Sequence, residues 1–573
     1  MKPPKPRSLV QVHYHNRLSG VNKVIGLYAE AFNRLNGSRS AANLVVCCKS
    51  PQPNADFRPA RVVSEPFCDY QAFHSKGQFE RIKTYLIESL DRVLKSESIK
   101  PPVCVIGHNL SIGKNCALSA AFAEISRRFT DALGRFRFFS VIHDFAEEGR
   151  LDCLKQIDNV KKWADIESDL FPSDGIVQYI TLNAGNADIL KKAGFPAAVL
   201  YDPVERPFVS RSFLAPSLLV PPKREPKIAG ANSHSPLLFK NDLPIILYPS
   251  RCISRKNILE AILLCNFIYK SNLMIGASGT DAKDRIAFNK AVALCKKYKL
   301  PVMFDYGRIL SGKSEKNVFT NSAFDIADAC VTTSIAEGFG YGLYEPWLYG
   351  KAVFGKKYLG FEPIAGVKFN GLYDCLPVPI DWLSFSVLRE KYWESMKKCF
   401  GELMIHRSTP PPSRFPRRGN QTCPPSRELK SEQLLGKRKN NKLLSNRKKF
   451  DRTFSDYFIV DDSIDFGCLD ISTQFAIVES LLISPRKLEE WEKTCDVQLS
   501  QIRKSAESAL YDSAKVIHFN RNRIKEKLSI KSFSKEFGKI LSQNPPKKVK
   551  TGRREEILRE FCTFDRFRLL LAK

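Results

Sequence analysis

Two carboxylates, Glu337 and Glu345, flank seven residues in the segment Ser334-Ile-Ala-Glu337-Gly-Phe-Gly-Tyr-Gly-Leu-Tyr-Glu345. Gly338, Gly340 and Gly342, with Phe339 between the first two, let the backbone approach a ligand closely. Where such a turn runs into a helix, free amides face a phosphate or sugar hydroxyls. Carboxylates so spaced accept hydrogen bonds from several vicinal hydroxyls. Taken alone, the spacing also fits a tight turn with a solvated Glu. A second segment, Tyr248-Pro-Ser-Arg251-Cys-Ile-Ser-Arg-Lys256, gathers Arg251, Arg255 and Lys256 behind an apolar run. An Arg–Lys pair can neutralise a departing diphosphate without a metal. An exposed basic loop is the plainer alternative.

Two further segments belong to the first half of the chain. Val141-Ile-His143-Asp144 ends an apolar run, and an imidazole there could bond a sugar hydroxyl or steer an acceptor proton. A lone His at a strand end is more often structural. His108-Asn109 is a weaker candidate of the same kind. The loop Arg17-Leu-Ser19-Gly20-Val-Asn22 could receive a phosphate or an acceptor through its amides and Arg17. It is not a G-x-G-x-x-G, which disfavours a dinucleotide redox cofactor.

These segments need strands to end where they begin. Leu9–His13, Asn43–Cys48, Val103–Ile106, Phe138–Ile142, Val177–Ile180 and Ala198–Tyr201 read as buried strands, with amphipathic helices such as Gly20–Phe32 between them. After a proline-rich break the alternation restarts. Ile245–Tyr248, Leu273–Ile275, Val302–Phe304, Ala329–Val331 and Ala352–Phe354 read as strands, and Ile258–Tyr269 and Ala282–Lys299 as helices. Strands alternating with helices imply a parallel sheet covered on both faces, here twice. Further on, one long helix is expected over roughly Trp491 to Tyr511, and a last core helix over Lys531 to Leu541.

The 573 residues suit two or three domains, with 43% hydrophobic and 26% charged residues. The net charge of +30 favours anionic partners: nucleotide phosphates, an anionic membrane surface or nucleic acid. Sixteen scattered cysteines form no C-x-x-C, so reduced thiols in a cytosolic protein are expected. No apolar run is long enough to span a bilayer, and any membrane contact is expected to be peripheral. Residues 401–450 carry thirteen Lys and Arg against three Glu, a net of about +10, and few large apolar residues. Those cations are not interleaved with aromatics as a stacking platform would be, so no specific nucleic-acid partner is expected.

At these residues the chain resembles the retaining glycosyltransferases of family 4, over most of residues 8–400 and around Asn520 to Leu541. Glu337 and Glu345 match that family's E-x7-E, and Arg251 and Lys256 its R-x4-K. Only Gly20 remains where the family has a Gly-Gly loop, and Asp202 stands where it often has Asn before Pro-Val. The resemblance implies the GT-B fold: two Rossmann-like α/β domains facing each other across a cleft. The expected division is an N-terminal acceptor domain (1–205), a linker (206–240), a donor domain (241–400) and a disordered basic insertion (401–453). A helical continuation crossing back to the first domain (454–544) and a basic tail (545–573) follow.

The resemblance also implies roles. Arg251 and Lys256 would hold the diphosphate of a UDP-, GDP- or ADP-hexose, and Glu345 its ribose. Glu337, with Gly338, Phe339 and Gly340, would hold the donor sugar, and His143 would contact it near the anomeric carbon. Arg17, Ser19, Gly20 and Asn22 would serve the acceptor or a phosphate. The donor is a substrate, and neither cofactor nor metal is expected. The acceptor would be a carbohydrate, lipid or small molecule. Two other readings stay open: an epimerase or phosphorylase of the same fold, and a basic protein that binds nucleic acid or a membrane surface.

Overall fold

The computed structural model describes residues 5–17, 19–37, 41–50, 57–130, 134–173, 177–206, 239–240, 242–279, 281–307, 319–358, 360–401, 438–511, 513–544, 552–564 and 566–572. The expectations for most of the linker (207–238) and of the basic insertion (402–437) lie outside them.

The described residues form two parallel-sheet α/β lobes. The first sheet contains β1 (Ser8–His15), β2 (Ala42–Cys48), β3 (Arg61–Ser64), β4 (Val103–His108), β5 (Phe136–Ile142), β6 (Val177–Thr181) and β7 (Ala197–Val199). Its order is β3-β2-β1-β4-β5-β6-β7, and every neighbouring pair is parallel. The second contains β8 (Ile245–Tyr248), β9 (Asn272–Ile275), β10 (Val302–Phe304), β11 (Ala329–Thr332), β12 (Val353–Lys356) and β13 (Gly371–Tyr373). Its order is β10-β9-β8-β11-β12-β13, again all parallel. The central strands are buried along their length, as continuous apolar runs covered on both faces must be. β3 escapes the sequence pattern because it is a short, mostly exposed edge strand.

The helix Gly20–Asn36 starts on a Ser19 cap, whose hydroxyl accepts from the Asn22 amide. It packs against the late helix Ile530–Leu541, where Phe533 and Phe537 meet the Tyr28 ring edge-on. The chain thus returns to the first lobe after building the second.

Three helices differ from expectation. The one expected over Ile258–Tyr269 is α-helical to Leu263 and then widens to a π-turn over Leu264–Ile268. The one expected over Trp491–Tyr511 is two, Pro485–Thr494 and Asp496–Tyr511, broken at the buried Cys495. Helix Arg438–Phe458 runs through the end of the segment expected to be disordered. Phe450, Phe454 and Phe458 repeat every four residues there and pack on Trp393, Tyr392 and Phe564. Net charge over the whole segment hid that stripe. Among the described residues, no helix is long and apolar enough to cross a membrane.

Candidate active site

Both strand orders reverse once, between β1 and β4 and between β8 and β11. Loops leaving the carboxyl ends of strands diverge at such a point and open a crevice. In the second lobe those loops are 249–256 after β8 and 333–340 after β11. They are tied together. Thr333 donates its hydroxyl to the carbonyls of Lys256 (3.1 Å) and Asn257 (3.0 Å), and the Ile335 amide donates to the Arg255 carbonyl (2.9 Å).

This brings Glu337 onto two cations. Lys256 Nζ is ion-paired with Glu337 Oε1, and Arg255 Nη1 lies 3.2 Å from Oε2. The same guanidinium donates to the Ala336 carbonyl at 3.0 Å. Burial raises the Glu337 carboxyl, but Lys256 and Arg255 outweigh it and hold it below the usual range. Burial pulls the Lys256 ammonium down in spite of Glu337, and Arg255 adds to that pull. The two shifts oppose each other because two cations share one carboxylate. Glu337 is ionised, since both cations favour its charged form. The locus keeps surplus positive charge, as an anion-binding site needs. Arg251 is exposed on the same loop and has no ion pair among the described residues; at Glu337 it is Arg255 that joins Lys256.

The glycines have separate duties. Gly340 has φ +86° and starts the helix Tyr341–Leu348. A Cβ on Gly338 would collide with the His143 carbonyl oxygen of the first lobe. Asn183, also in the first lobe, donates to the Gly338 carbonyl at 2.9 Å. Phe339 is buried against Tyr341 and Tyr344. The lobes therefore touch beside Glu337.

Glu345, one turn into the helix, meets Lys23 of the first lobe at 3.5 Å. Lys23 also lies 4.6 Å above the Tyr341 ring. Beneath them Asp202 is buried, and burial pushes its carboxyl up to about 8, with Lys23 and Tyr341 opposing. A protonated Asp has the shape and polarity of the Asn it replaces in the resemblance.

On the first-lobe side, His108 Nε2 is 2.8 Å from Gln11 Oε1, and His108 Nδ1 is 3.3 Å from His143 Nε2. His13 Nδ1 is 3.0 Å from the His108 carbonyl. Burial lowers His143 to about 4 and His13 to about 3, so both are neutral at pH 7. Asn109 accepts from the His143 and Asp144 amides, fixing the turn. Arg150 lies 3.0 Å from Asp144. Burial raises Asp144, but Arg150 and Arg255 prevail and bring it down to about 2.

The loop at 17–22 is internally occupied. Arg17 pairs with Asp69, Ser19 caps the helix, and Asn22 donates to the His15 and Arg17 carbonyls. Gly20 begins the helix and has open space at its Cα.

Sequence spacing missed the C-terminal contribution. Arg554 is buried and pairs with Glu147 (2.6 Å) and Glu167 (3.2 Å) of the first lobe. Leu570 and Leu571 cluster with Ile335 and Ala336, next to Glu337. The apolar finish of the chain was the available signal, but nothing in it names the surface it covers.

No family model matches the chain. Over 311 residues it is 27% identical to the mannosylglucosyl-3-phosphoglycerate synthase of Petrotoga mobilis, a match covering 51% of this chain and 54% of that protein. The chain thus spans about half the length of that curated relative. Among solved structures, it is similar to the sucrose-phosphate synthase of Thermosynechococcus elongatus at a TM-score of 0.42 and 15% identity, over 64% of this chain and 86% of that one. It is also similar to the catalytic domain of starch synthase IV from Arabidopsis thaliana bound to ADP and acarbose, at a TM-score of 0.41 and 11% identity, over 65% and 88% of the two chains.

Proposed function

We propose that this protein is a glycosyltransferase that moves a hexose from a nucleotide-diphosphate sugar to a hydroxyl of a carbohydrate, lipid or small-molecule acceptor. One convergence supports this best. Lys256, Arg255 and Glu337 meet at the strand-order reversal of the second lobe, against His143 and Asp144 of the first. Lys256 and Arg255, with Arg251 from the same loop, take the diphosphate and stabilise the charge that grows as it leaves. Glu337 then exchanges part of its ion pair for donor sugar hydroxyls, and the Gly338 to Gly340 backbone lies alongside. Glu345 turns from Lys23 to the ribose. His143, neutral at pH 7, lies near the anomeric carbon. Asn22, Ser19, Gly20 and Arg17 hold the acceptor side of the first lobe in shape.

Retention of configuration follows if the acceptor attacks on the face the diphosphate vacates, its proton passing to the departing phosphate. This chemistry needs neither cofactor nor metal, because the two cations meet the leaving charge. The curated relative, a mannosylglucosyl-3-phosphoglycerate synthase, supports sugar transfer as the reaction class. A cytoplasmic enzyme with peripheral contact at anionic membrane fits the net charge of +30. The test is a thermal-shift screen of UDP, GDP and ADP sugars, followed by an acceptor screen for released nucleoside diphosphate. Stabilisation by one nucleotide class, with diphosphate released only when acceptor is present, is the expected result. Conversion of the donor to an isomer would instead indicate an epimerase, and formation of a sugar 1-phosphate from a glycoside and inorganic phosphate, with no nucleotide bound, a phosphorylase.

A further inference from the structure

Away from the interlobe crevice, a cavity of about 280 Å³ opens where the chain leaves the first lobe. Arg206, among the last described residues before the crossing, lines it with Glu205. Arg521 and Lys525, one turn apart on the helix Ala514–Lys527, line the opposite wall. Ser529, the cap of helix Ile530–Leu541, and Leu348, the last residue of the Glu345 helix, complete it. The outgoing and returning crossings are joined beside it, where the Val204 amide donates to the Leu528 carbonyl at 2.6 Å.

Its charges do not balance. The Glu205 carboxylate accepts from the Ile530 amide at 2.6 Å and is engaged by the helix terminus. Arg206 reaches Asp325 only at 4.0 Å, with both side chains more than half exposed, and lies 4.8 Å above the Tyr349 ring. Arg521 donates to the Trp347 carbonyl at 3.5 Å and, like Lys525, has no ion pair among the described residues. Three cations against one engaged carboxylate leave the cavity positive. At ~30 Å³ per water, its volume holds a phosphate and a small organic body.

We propose that this junction binds a phosphate-bearing small molecule, at a site separate from the donor crevice. Arg206 comes from the outgoing crossing and Arg521 and Lys525 from a helix packed on the Glu345 helix. A dianion bridging them ties the crossing to the second lobe and favours one lobe orientation.

The test follows the melting midpoint of the full chain against inorganic phosphate and against a hexose 6-phosphate, with chloride matching the ionic strength. Wild type is compared with Lys256→Ala, Arg521→Gln and Lys525→Gln; Lys525 is exposed, so its variant keeps the fold. The expected result is a rise in midpoint for wild type and Lys256→Ala alike. Binding should be about tenfold weaker in the Arg521 and Lys525 variants, the loss of one charged hydrogen bond. Equal response to both probes assigns the site to phosphate itself; a stronger response to the hexose phosphate assigns it to a phosphorylated sugar. The proposal is overturned if the rise equals that in chloride, vanishes in Lys256→Ala, or persists unchanged in both junction variants. Nucleotide binding by wild type in the donor screen is read separately, so either proposal can fail alone.

Discussion

Toward the carboxyl ends of β1, β4 and β5 in the first lobe lie His13, His108 and His143, all buried and bonded to one another or to backbone. At the β8/β11 reversal of the second lie Arg255, Lys256 and Glu337, charged and paired. The two sheets share a topology, yet their crevice walls differ in the property that matters most to a ligand. One wall presents neutral imidazoles, able to donate or accept at fixed positions, beside the mutually paired Asp144 and Arg150. The other carries surplus positive charge. Topology provides the place for a ligand, and a few loop side chains decide which part of it each wall meets.

The largest effect should come from discharging the charged wall. Lys256→Ala is expected to cut turnover by about 10²-fold or more while leaving a folded protein. Unchanged turnover, with circular dichroism confirming the fold, would break the comparison at its strongest point.

The neutral wall should reveal itself through pH. His13 and His143 have folded values below the ordinary imidazole value of about 6.5, so the unfolded chain binds more protons than the folded one. Their contribution is complete above about pH 6.5 and declines as pH falls toward 4, by up to about 1.4 kcal/mol per pH unit for each group. Raised carboxyls such as Asp202 act in the opposite direction, so the readout is a difference: going from pH 7 to pH 5, His143→Asn should gain melting midpoint relative to wild type. An equal slope in the variant would mean that His143 does not titrate as a buried neutral group.

Gly338→Ala probes the contact between the walls. Its Cβ meets the His143 carbonyl, so the lobes must shift at a cost of about 1–3 kcal/mol. The expected readouts are a lower melting midpoint and a higher donor KM. Asp202→Asn sharpens the comparison at the rim. The folded value of Asp202, about 8, lies above the unfolded carboxylate value, so its contribution is complete below about pH 4 and is lost as pH rises through 8. Asn removes that loss, and the variant should exceed wild type at pH 9 by on the order of 1 kcal/mol, with little difference at pH 4. Lys23→Ala should change least. Its pair with Glu345 spans 3.5 Å with a part-exposed lysine, worth up to about 1 kcal/mol in denaturant melts.

Much of this was legible in the chain. Continuous apolar runs such as Leu44–Cys47 and Ile246–Tyr248 identified central strands, because both faces of a parallel strand are covered. Glu337 and Lys256 could be picked out because glycines and cations directly follow such strands. Their direct contact could not, since some 80 residues separate them. Arg255 was visible as one of three cations, and the resemblance picked out Arg251; the course of the loop is what turns Arg255 toward Glu337. The loop at 17–22 offered the same ambiguity. Its polar residues suit a ligand equally well, but in the fold Arg17 meets Asp69 and Asn22 meets backbone carbonyls.

What the sequence determined by itself is local: which runs are strands and helices, where glycine permits a positive φ, and how much charge the chain carries. Those properties depend on neighbours within a few residues, so periodicity and composition expose them. The tertiary structure alone decided that Lys256 and Arg255 share one carboxylate, that His13 and His143 stay neutral, and that Arg554 braces the first lobe while Leu570 and Leu571 reach the flank of Glu337. Each of these depends on burial and on distances between residues far apart in the chain. Burial sets the cost of charge, and distance sets which partner offsets it.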